Sequence, residues 1–498
     1  MIITPLEPQS PKPFTLLVPG YRTLRVIDHH GERTAKGPER CYQLLSSLEG
    51  SVNYVEGSMR AMLHTIGATH WTGDVWKGRA TTLHLDGAKV AVTSLRRTLS
   101  HLSDPLEQFA SLSRVMEYLS HQGVRAGSVS SMAWSLWRRT LTTTLDIGFD
   151  ARVGRAAFYG GRQERPNQER DEFHEQVSLD ISSAYPTSQV ERPYAATLRG
   201  VATSTRLDPE ISGLCEARVT VPKDLRFAPL PTRLGPGMIQ WAYGEIEGVW
   251  TWAELDAAAQ VGAKVTPLRV WAPATEVMPF EAWWETCQLA RETLGDAAAL
   301  IKGITNMLWS CFALVDDGRS ARVRWNDDLA DRATLVPRPK RRMPQANTVH
   351  LSAETSSRVR RRMLLEGLYG DTETPSHVDT DGLICSVDSM NRRRRGYGPG
   401  EWRAKQEMHT VQIKAPQLYR YTCGPNCGVV HSQWHYVASG IPGQFAHELF
   451  DRHPGFQISM RGEDIVAPSG ERIEGEQLRR YVEASEITEL AAWGPAYV

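Results

Sequence analysis

The sequence predicts a mixed α/β protein built from several domains. Three observations predict it. The chain has 498 residues, more than one hydrophobic core ordinarily holds. Strand-like alternation with Gly and Pro turns runs through residues 151–220 and around 376–386. Apolar residues at three- and four-residue spacing mark helices over 105–141 and 281–314.

Taken in order, residues 1–20 are Pro-rich and read as an arm or linker. From about 21 to 110, short β-like stretches such as "TTLHLDGAKVAVTSL" alternate with helical ones. "LEQFASLSRVMEYLSHQG" carries a helical apolar stripe and stops at glycine. "RAAFYGGRQE", "QVSLDISSAYP" and "GLCEARVTVP" read as strands and turns, and residues 281–314 as one or two helices broken near Gly295. Residues 315–350 are rich in charge and proline and read as loop. A helix over 354–368, a strand "HVDTDGLI" and a tail with two short strands complete the chain.

Hydrophobic residues make up 41% and charged residues 23%, the composition of a globular protein. No run approaches the ~18 apolar residues of a membrane span, so no membrane partner is expected. The start lacks a basic segment followed by an apolar one, and seven cysteines in so long a chain do not suggest a disulfide framework. Both point to a reducing, cytoplasmic setting (host cytoplasm if viral). Fifty-seven basic residues balance 57 acidic ones, yet "RPKRRM", "SRVRRRM" and "NRRRRG" concentrate arginine in the last third. Such runs can track phosphates on a neutral chain, or be solvated loops.

Chemistry is concentrated in three acids. Asp379 and Asp381 stand two apart in "SHVDTDGLICS", and residues i and i+2 share one face of a strand. Asp180 ends the strand-like "VSLD". Clustered carboxylates repel unless a cation neutralises them. Hard divalent ions such as Mg²⁺ do so and pair with substrate phosphates, and two such ions can stabilise both oxygens of a phosphoryl transfer. A D-x-D alone is also a common turn pattern. Arg291 and Lys302, 11 residues apart on a continuous helix, would return to within roughly 20° of one face and suit a polyphosphate.

These segments, in this order, resemble family B DNA polymerases, and among them the compact viral and linear-plasmid branch. "DISSAYP" matches the D-x-x-S-x-Y-P pattern at every fixed position. "KGITNMLWS" resembles K-x-x-x-N-S-x-Y-G, keeping Lys302 and Asn306 and departing at Met307, Trp309 and Ser310. "HVDTDG" resembles Y-x-D-T-D-S, departing at His377 and Gly382. "FYGGRQE" is similar to the Y-x-G-G segment, with Phe158 in the tyrosine place. "KAPQLYRY" resembles the K-x-Y motif, with Gln417 in the lysine place and Tyr419 kept.

The resemblance, over about 150–440, implies a right-hand polymerase with an N-terminal exonuclease-like α/β domain (1–150). The palm would be 151–280 and 315–399, the fingers 281–314 and the thumb 400–498. It implies Asp180 and Asp381 as ligands of two Mg²⁺ ions, which Mn²⁺ can replace, with the carbonyl of Ile181 joining them and Asp379 supporting the site. It further implies Lys302 and Arg291 on the triphosphate, Tyr185 under the sugar, and Asn306 and Trp309 at the nascent base pair. Gly160, Gly161, Arg162, Lys414 and Tyr419 would follow the DNA. The expected partners are primer-template DNA and deoxynucleoside triphosphates. A protein-primed or primase-like enzyme on the same core, with a priming protein as partner, and an inactive DNA-binding derivative are the alternatives.

The exonuclease of such enzymes needs a D-x-E on an early strand, and none precedes residue 150. Thr93 sits where an acid would be expected, and Asp104 has Ser100 rather than Tyr four residues before it. The domain therefore reads as an exonuclease fold without its metal site. Asp28-His29-His30 resembles a metal phosphoesterase motif but lacks further strand-borne aspartates, and turn residues account for it more simply. Cys423, Cys427, His431 and His435 fit no common zinc spacing; a β-hairpin is the simpler reading.

Overall fold

The computed structural model describes the chain except residues 1, 4–12, 21–22, 56–61, 63–64, 67–69, 72–79, 86–87, 95–101, 103, 143–144, 147–150, 167–169, 202–211, 236–237, 314–319, 326–332, 338–347, 394, 416–417, 424–433, 439–449, 451–455, 461–464, 467–471, 474–477 and 483–498. Gln417, Cys427, His431 and the run "RPKRRM" lie outside the described residues. The chain forms two compact units, one of residues 1–147 with 279–346 and one of 148–278 with 347–498. No described helix is long and apolar enough to cross a membrane.

The first unit holds a nine-stranded mixed sheet. Phe14–Gly20, expected in a linker, is an inner strand of it, antiparallel to Thr23–Asp28 and parallel to Val52–Val55. The reason is the apolar run within "FTLLV": Leu16 and Leu17 are fully buried. Residues 315–350, read as loop and assigned to the palm, contribute Ser320–Trp325 and Ala333–Pro337, and both join this sheet. The helical stretch 105–141 is two helices, Pro105–His121 and Val129–Thr140, separated at Gly123, whose φ of 69° favours glycine. Trp134, Trp137, Phe280 and Phe312 pack ring against ring, and the Trp137 indole donates to the Pro279 carbonyl at 2.7 Å. The helices Glu281–Leu294 and Ala298–Cys311 are split by a 3₁₀ turn at Gly295–Ala297, near the expected break.

The second unit is built on a seven-stranded antiparallel sheet. Its strands are β1 (Arg162–Glu164), β2 (Glu172–Ile181), β3 (His377–Thr380), β4 (Gly382–Ser386), β5 (Trp402–Ala415), β6 (Leu418–Cys423) and β7 (Trp434–Ala438). Their spatial order is β1-β3-β4-β2-β5-β6-β7. The strands β5, β6 and β7, from the stretch read as the start of a thumb, lie in this sheet. The single strand expected at "HVDTDGLI" is a hairpin: β3 and β4 pair Asp379 with Gly382 across a two-residue turn. Thr380 takes φ 63° there, a left-handed conformation at the first loop position.

One helix crosses the interior. Residues Val349–Arg362 form α2, preceded in the chain by α1 (Ala184–Val190). The run "SRVRRRM", open to reading as a phosphate track, lies on α2 with Arg358 and Arg360 6% and 2% exposed. Arg360 pairs with buried Glu254 at 2.7 Å and donates to the carbonyls of Tyr159 and Gly160. Arg358 faces Glu354 at 3.4 Å and donates to the carbonyls of Ser188, Arg192 and Pro193. Burial pushes the Glu354 carboxyl up to about 7, against the pull of Arg358. The run "NRRRRG" is also partly spent inside: Arg393 is 8% exposed, and Arg392 pairs with Asp371 and Glu373.

Breaking a buried pair leaves an uncompensated charge, which costs about 3–5 kcal/mol. Arg360→Met is therefore expected to lower the unfolding free energy, measured by urea titration, by that much and to lower the midpoint accordingly. An unchanged midpoint would mean that Glu254 is solvated or neutral in the folded protein.

Candidate active site

The site forms where β2 ends beside the β3–β4 turn. Asp180 is the next-to-last residue of β2 and pairs with Gly382 on one side and Arg403 on the other. The Ile181 amide donates to the Asp381 carbonyl at 2.8 Å, binding the strand end to the turn. This approach leaves no room for a side chain at 382: a Cβ there would lie 2.8 Å from the Leu179 carbonyl oxygen and 3.4 Å from the Asp180 carboxylate. That explains Gly382 in the serine place. After Ile181 the chain turns through Ser183, at φ 53°, into α1. The Ser182 amide and carbonyl bond to the Glu401 carbonyl and Gly400 amide, fixing the turn against the start of β5.

Of the other two acids, Asp180 acts on Asp381 more strongly, and Asp379 adds to the same push. Burial first, and the nearby Asp180 charge second, push the Asp381 carboxyl up to about 7; Lys405 opposes them, and Asp379 adds least. Asp379 is held instead by the Thr380 hydroxyl at 3.1 Å and approached by the Gln163 amide at 3.4 Å. Asp379 and Asp381 are not on one regular strand, because the hairpin turn at Thr380 and Asp381 intervenes. Among the described residues no group of three His, Cys, Asp or Glu side chains is arranged to hold a metal ion. The Asp180–Asp381 pair nevertheless fits a cation, because Lys405 already places its ammonium 2.8 Å from Asp180. Sequence reasoning missed Lys405 and Gln163: Lys405 lies outside every motif, and Gln163 lies just past the fixed positions of the Y-x-G-G segment.

Tyr185, on α1, is half-buried, and its hydroxyl is pushed up by burial and then by Asp381, with Arg360 opposing. Asp381 and Asp379 both act on it. Gly161 passes so close to the turn that a Cβ would meet the Thr380 side chain at 2.5 Å. Its smallness serves packing in this place. Gly160 is exposed, and its carbonyl accepts from Arg360. Arg162, expected on the DNA path, is 1% exposed, paired with Glu164 at 2.6 Å and stacked over Trp241 at 4.1 Å. A guanidinium committed inside the unit cannot reach a phosphate. Tyr419 packs against buried His377 at 5.1 Å, with the ring planes tilted by 60°, and Lys414 lies over the Phe450 ring at 5.5 Å. Burial pushes the His377 imidazole down to about 4, so it is neutral at pH 7.

The remaining expected nucleotide contacts lie in the first unit. Lys302 and Asn306 are exposed and Trp309 is half-buried on Ala298–Cys311, at spacings that share one helix face. Arg291 sits on the preceding helix, where it donates to Gln288 at 3.1 Å. The break at Gly295 removes the continuous helix on which Arg291 and Lys302 were placed in line. At the far end of the sheet, β6 and β7 pair as the expected hairpin, with Cys423 and His435 3.2 Å apart.

No family model and no curated protein matches this chain. Solved structures do. The chain is similar to phi29 DNA polymerase complexed with primer-template DNA, at TM-score 0.62 and 11% identity over 94% of this chain and 100% of that one. It is equally similar to the phi29 ternary complex with primer-template DNA and incoming nucleotide substrates, over 95% and 100% of the two chains. At this identity the likeness is one of fold, and the fold is that of a DNA polymerase.

The raised Asp381 carboxyl has a consequence for stability. It keeps its proton in the folded protein after the unfolded chain has released it near pH 3.8. Its contribution to stability is thus complete below about pH 4, falls as pH rises to about 7, and stays low above that. In EDTA, the thermal midpoint of Asp381→Asn should rise relative to wild type across this window. A difference independent of pH would mean that the carboxyl titrates normally.

Proposed function

We propose that the chain is a template-directed DNA polymerase that adds deoxynucleotides to a primer 3′ end by phosphoryl transfer. The observation that carries this reading is the placing of Asp180 and Asp381 side by side by the Ile181–Asp381 backbone bond, on a chain with a polymerase fold. The phi29 structures that share the fold hold primer-template DNA and incoming nucleotides, and we carry those partners over to this chain. In this reading the seven-stranded sheet serves as palm and the helices of 281–311 as fingers.

Asp180, Asp381 and the Ile181 carbonyl are the groups that would hold Mg²⁺ or Mn²⁺. When bound, two such ions supply charge neutralisation for the attacking and leaving oxygens. The chain's own residues position the reactants, which is most of the catalysis such transfers require. Tyr185 packs under the sugar and excludes a 2′-hydroxyl. Lys302, with Arg291, grips the triphosphate, and Asn306 with Trp309 adjoins the nascent pair. Gly160, Lys414 and Tyr419 follow the DNA; Arg162 is withdrawn from that role by its burial.

Proofreading is absent in this reading. Thr93, where an acid would be needed, is buried on Ala88–Ser94. Asp104 caps the helix that follows it, and Asp28 is engaged by the His30 amide and Arg33.

A 5′-labelled primer annealed to a longer template tests the reading. With Mg²⁺ and nucleotides it should lengthen; without nucleotides a mismatched 3′ end should not shorten. Asp180→Ala and Asp381→Ala should each reduce extension by 10³-fold or more, roughly the ~4 kcal/mol or more of a lost charge-stabilising group, while leaving DNA binding intact. Near wild-type extension by either variant would remove the two acids from the chemistry.

The sugar is tested separately. Tyr185→Val should incorporate ribonucleotides at least about tenfold more readily relative to deoxynucleotides, the effect of losing ~1.4 kcal/mol of steric discrimination. Unchanged discrimination would leave Tyr185 a packing residue.

A further inference from the structure

Opposite Ser178 and Leu179 the pairing of β2 with β5 slips by one residue: Ser178 faces Gln406, and Leu179 faces Ala404. The residue passed over is Lys405. An extra residue in one strand of an antiparallel pair is a β-bulge, which redirects a side chain that regular pairing would send elsewhere. Here the redirected ammonium lies 2.8 Å from the Asp180 carboxylate, with the Lys405 side chain 49% exposed and that of Asp180 13% exposed. It also acts on Asp381, the second acid of the pair. Lys405 belongs to none of the recognisable motifs, and the lysine place of the K-x-Y segment is held by Gln417.

We infer that Lys405 is a built-in competitor of the divalent ion: it occupies the metal-binding oxygen of Asp180 and holds down the metal affinity of the nucleotide-free protein. This rests on the assignment of Asp180 as a metal ligand. The argument is electrostatic and geometric. An ammonium and a divalent cation cannot both sit against one carboxylate oxygen, and each repels the other across the few ångströms between them. A metal ion entering must therefore displace Lys405, whose long, half-exposed stem can swing away without disturbing the strand. The displaced ammonium needs a new anion, and a substrate triphosphate is one. Metal loading is thereby tied to nucleotide arrival. Lys405 acts through Asp180 and is a positioning residue.

The test measures Mn²⁺ alone binding to nucleotide-free protein, by the electron paramagnetic resonance signal of the free ion. Lys405→Gln should bind Mn²⁺ about tenfold more tightly than wild type, the effect of removing a unit charge at contact range. Lys405→Met should do the same, Lys405→Arg should stay near wild type, and adding Asp180→Asn to Lys405→Gln should remove the gain. Equal or weaker Mn²⁺ binding by both neutral variants, with unchanged circular dichroism, would overturn the inference. The reading of the protein as a polymerase fails separately: tighter Mn²⁺ binding without primer extension by wild type sinks the activity but leaves the competition standing. Extension without tighter binding does the reverse.

Discussion

The site depends on one close backbone approach. The end of β2 and the β3–β4 turn lie so near that the Ile181 amide reaches the Asp381 carbonyl and position 382 admits only glycine. Two aspartates are carried in with that backbone. Their charges repel at short range in a poorly solvated place, and the proton on Asp381 is retained far above its usual range as a result. The fold thus imposes an electrostatic debt that a retained proton or a cation relieves. Lys405 relieves part of it, through a bulge in the neighbouring strand.

Such an arrangement is kept by rigid surroundings. The buried arginines of α2 hold backbone carbonyls on both flanks: Tyr159 and Gly160 before β1, and Ser188 in α1 with Arg192 and Pro193 just after it. Gly161 then fits beneath Thr380, and the Glu401 and Gly400 backbone clasps Ser182. Every segment next to the two acids is therefore fastened to the interior of the unit. The proposed phosphoryl transfer would gain from this stiffness, since such catalysis is positioning of charge.

The parts legible in the sequence were those whose chemistry demands a residue type at a fixed spacing. Asp180, Tyr185 and Asp381, read from short words of acids, turn and aromatic, act on one another electrostatically in the folded unit. The helix pair around Gly295 was legible for a similar reason, since glycine and apolar spacing are local signals. The illegible parts were set by pairing at a distance. Ser320–Trp325 finds its partner at Thr82–Leu85, and nothing in its own composition announces that. The hairpin at Thr380 lacks the Gly or Asn that usually marks a left-handed loop position, so it read as one strand. Arg358, Arg360 and Arg162 read as surface because arginine is rarely buried; the carbonyls that Arg358 and Arg360 reach, and Glu254, lie 100 residues or more away, and Arg162 is covered by the distant Trp241. A bulge such as that at Lys405 leaves no mark in sequence at all.

The central claim is that Asp180 and Asp381 together hold a divalent ion. Fe²⁺ substituted for Mg²⁺, with ascorbate and peroxide, cuts the backbone beside the bound metal and reads out the ligands directly. The account predicts fragments ending at the junction of β2 with Ile181 and at the β3–β4 turn, both suppressed by excess Mg²⁺ and both lost in Asp180→Asn. Cleavage confined to other segments, or cuts at these two that Mg²⁺ does not suppress, would contradict it.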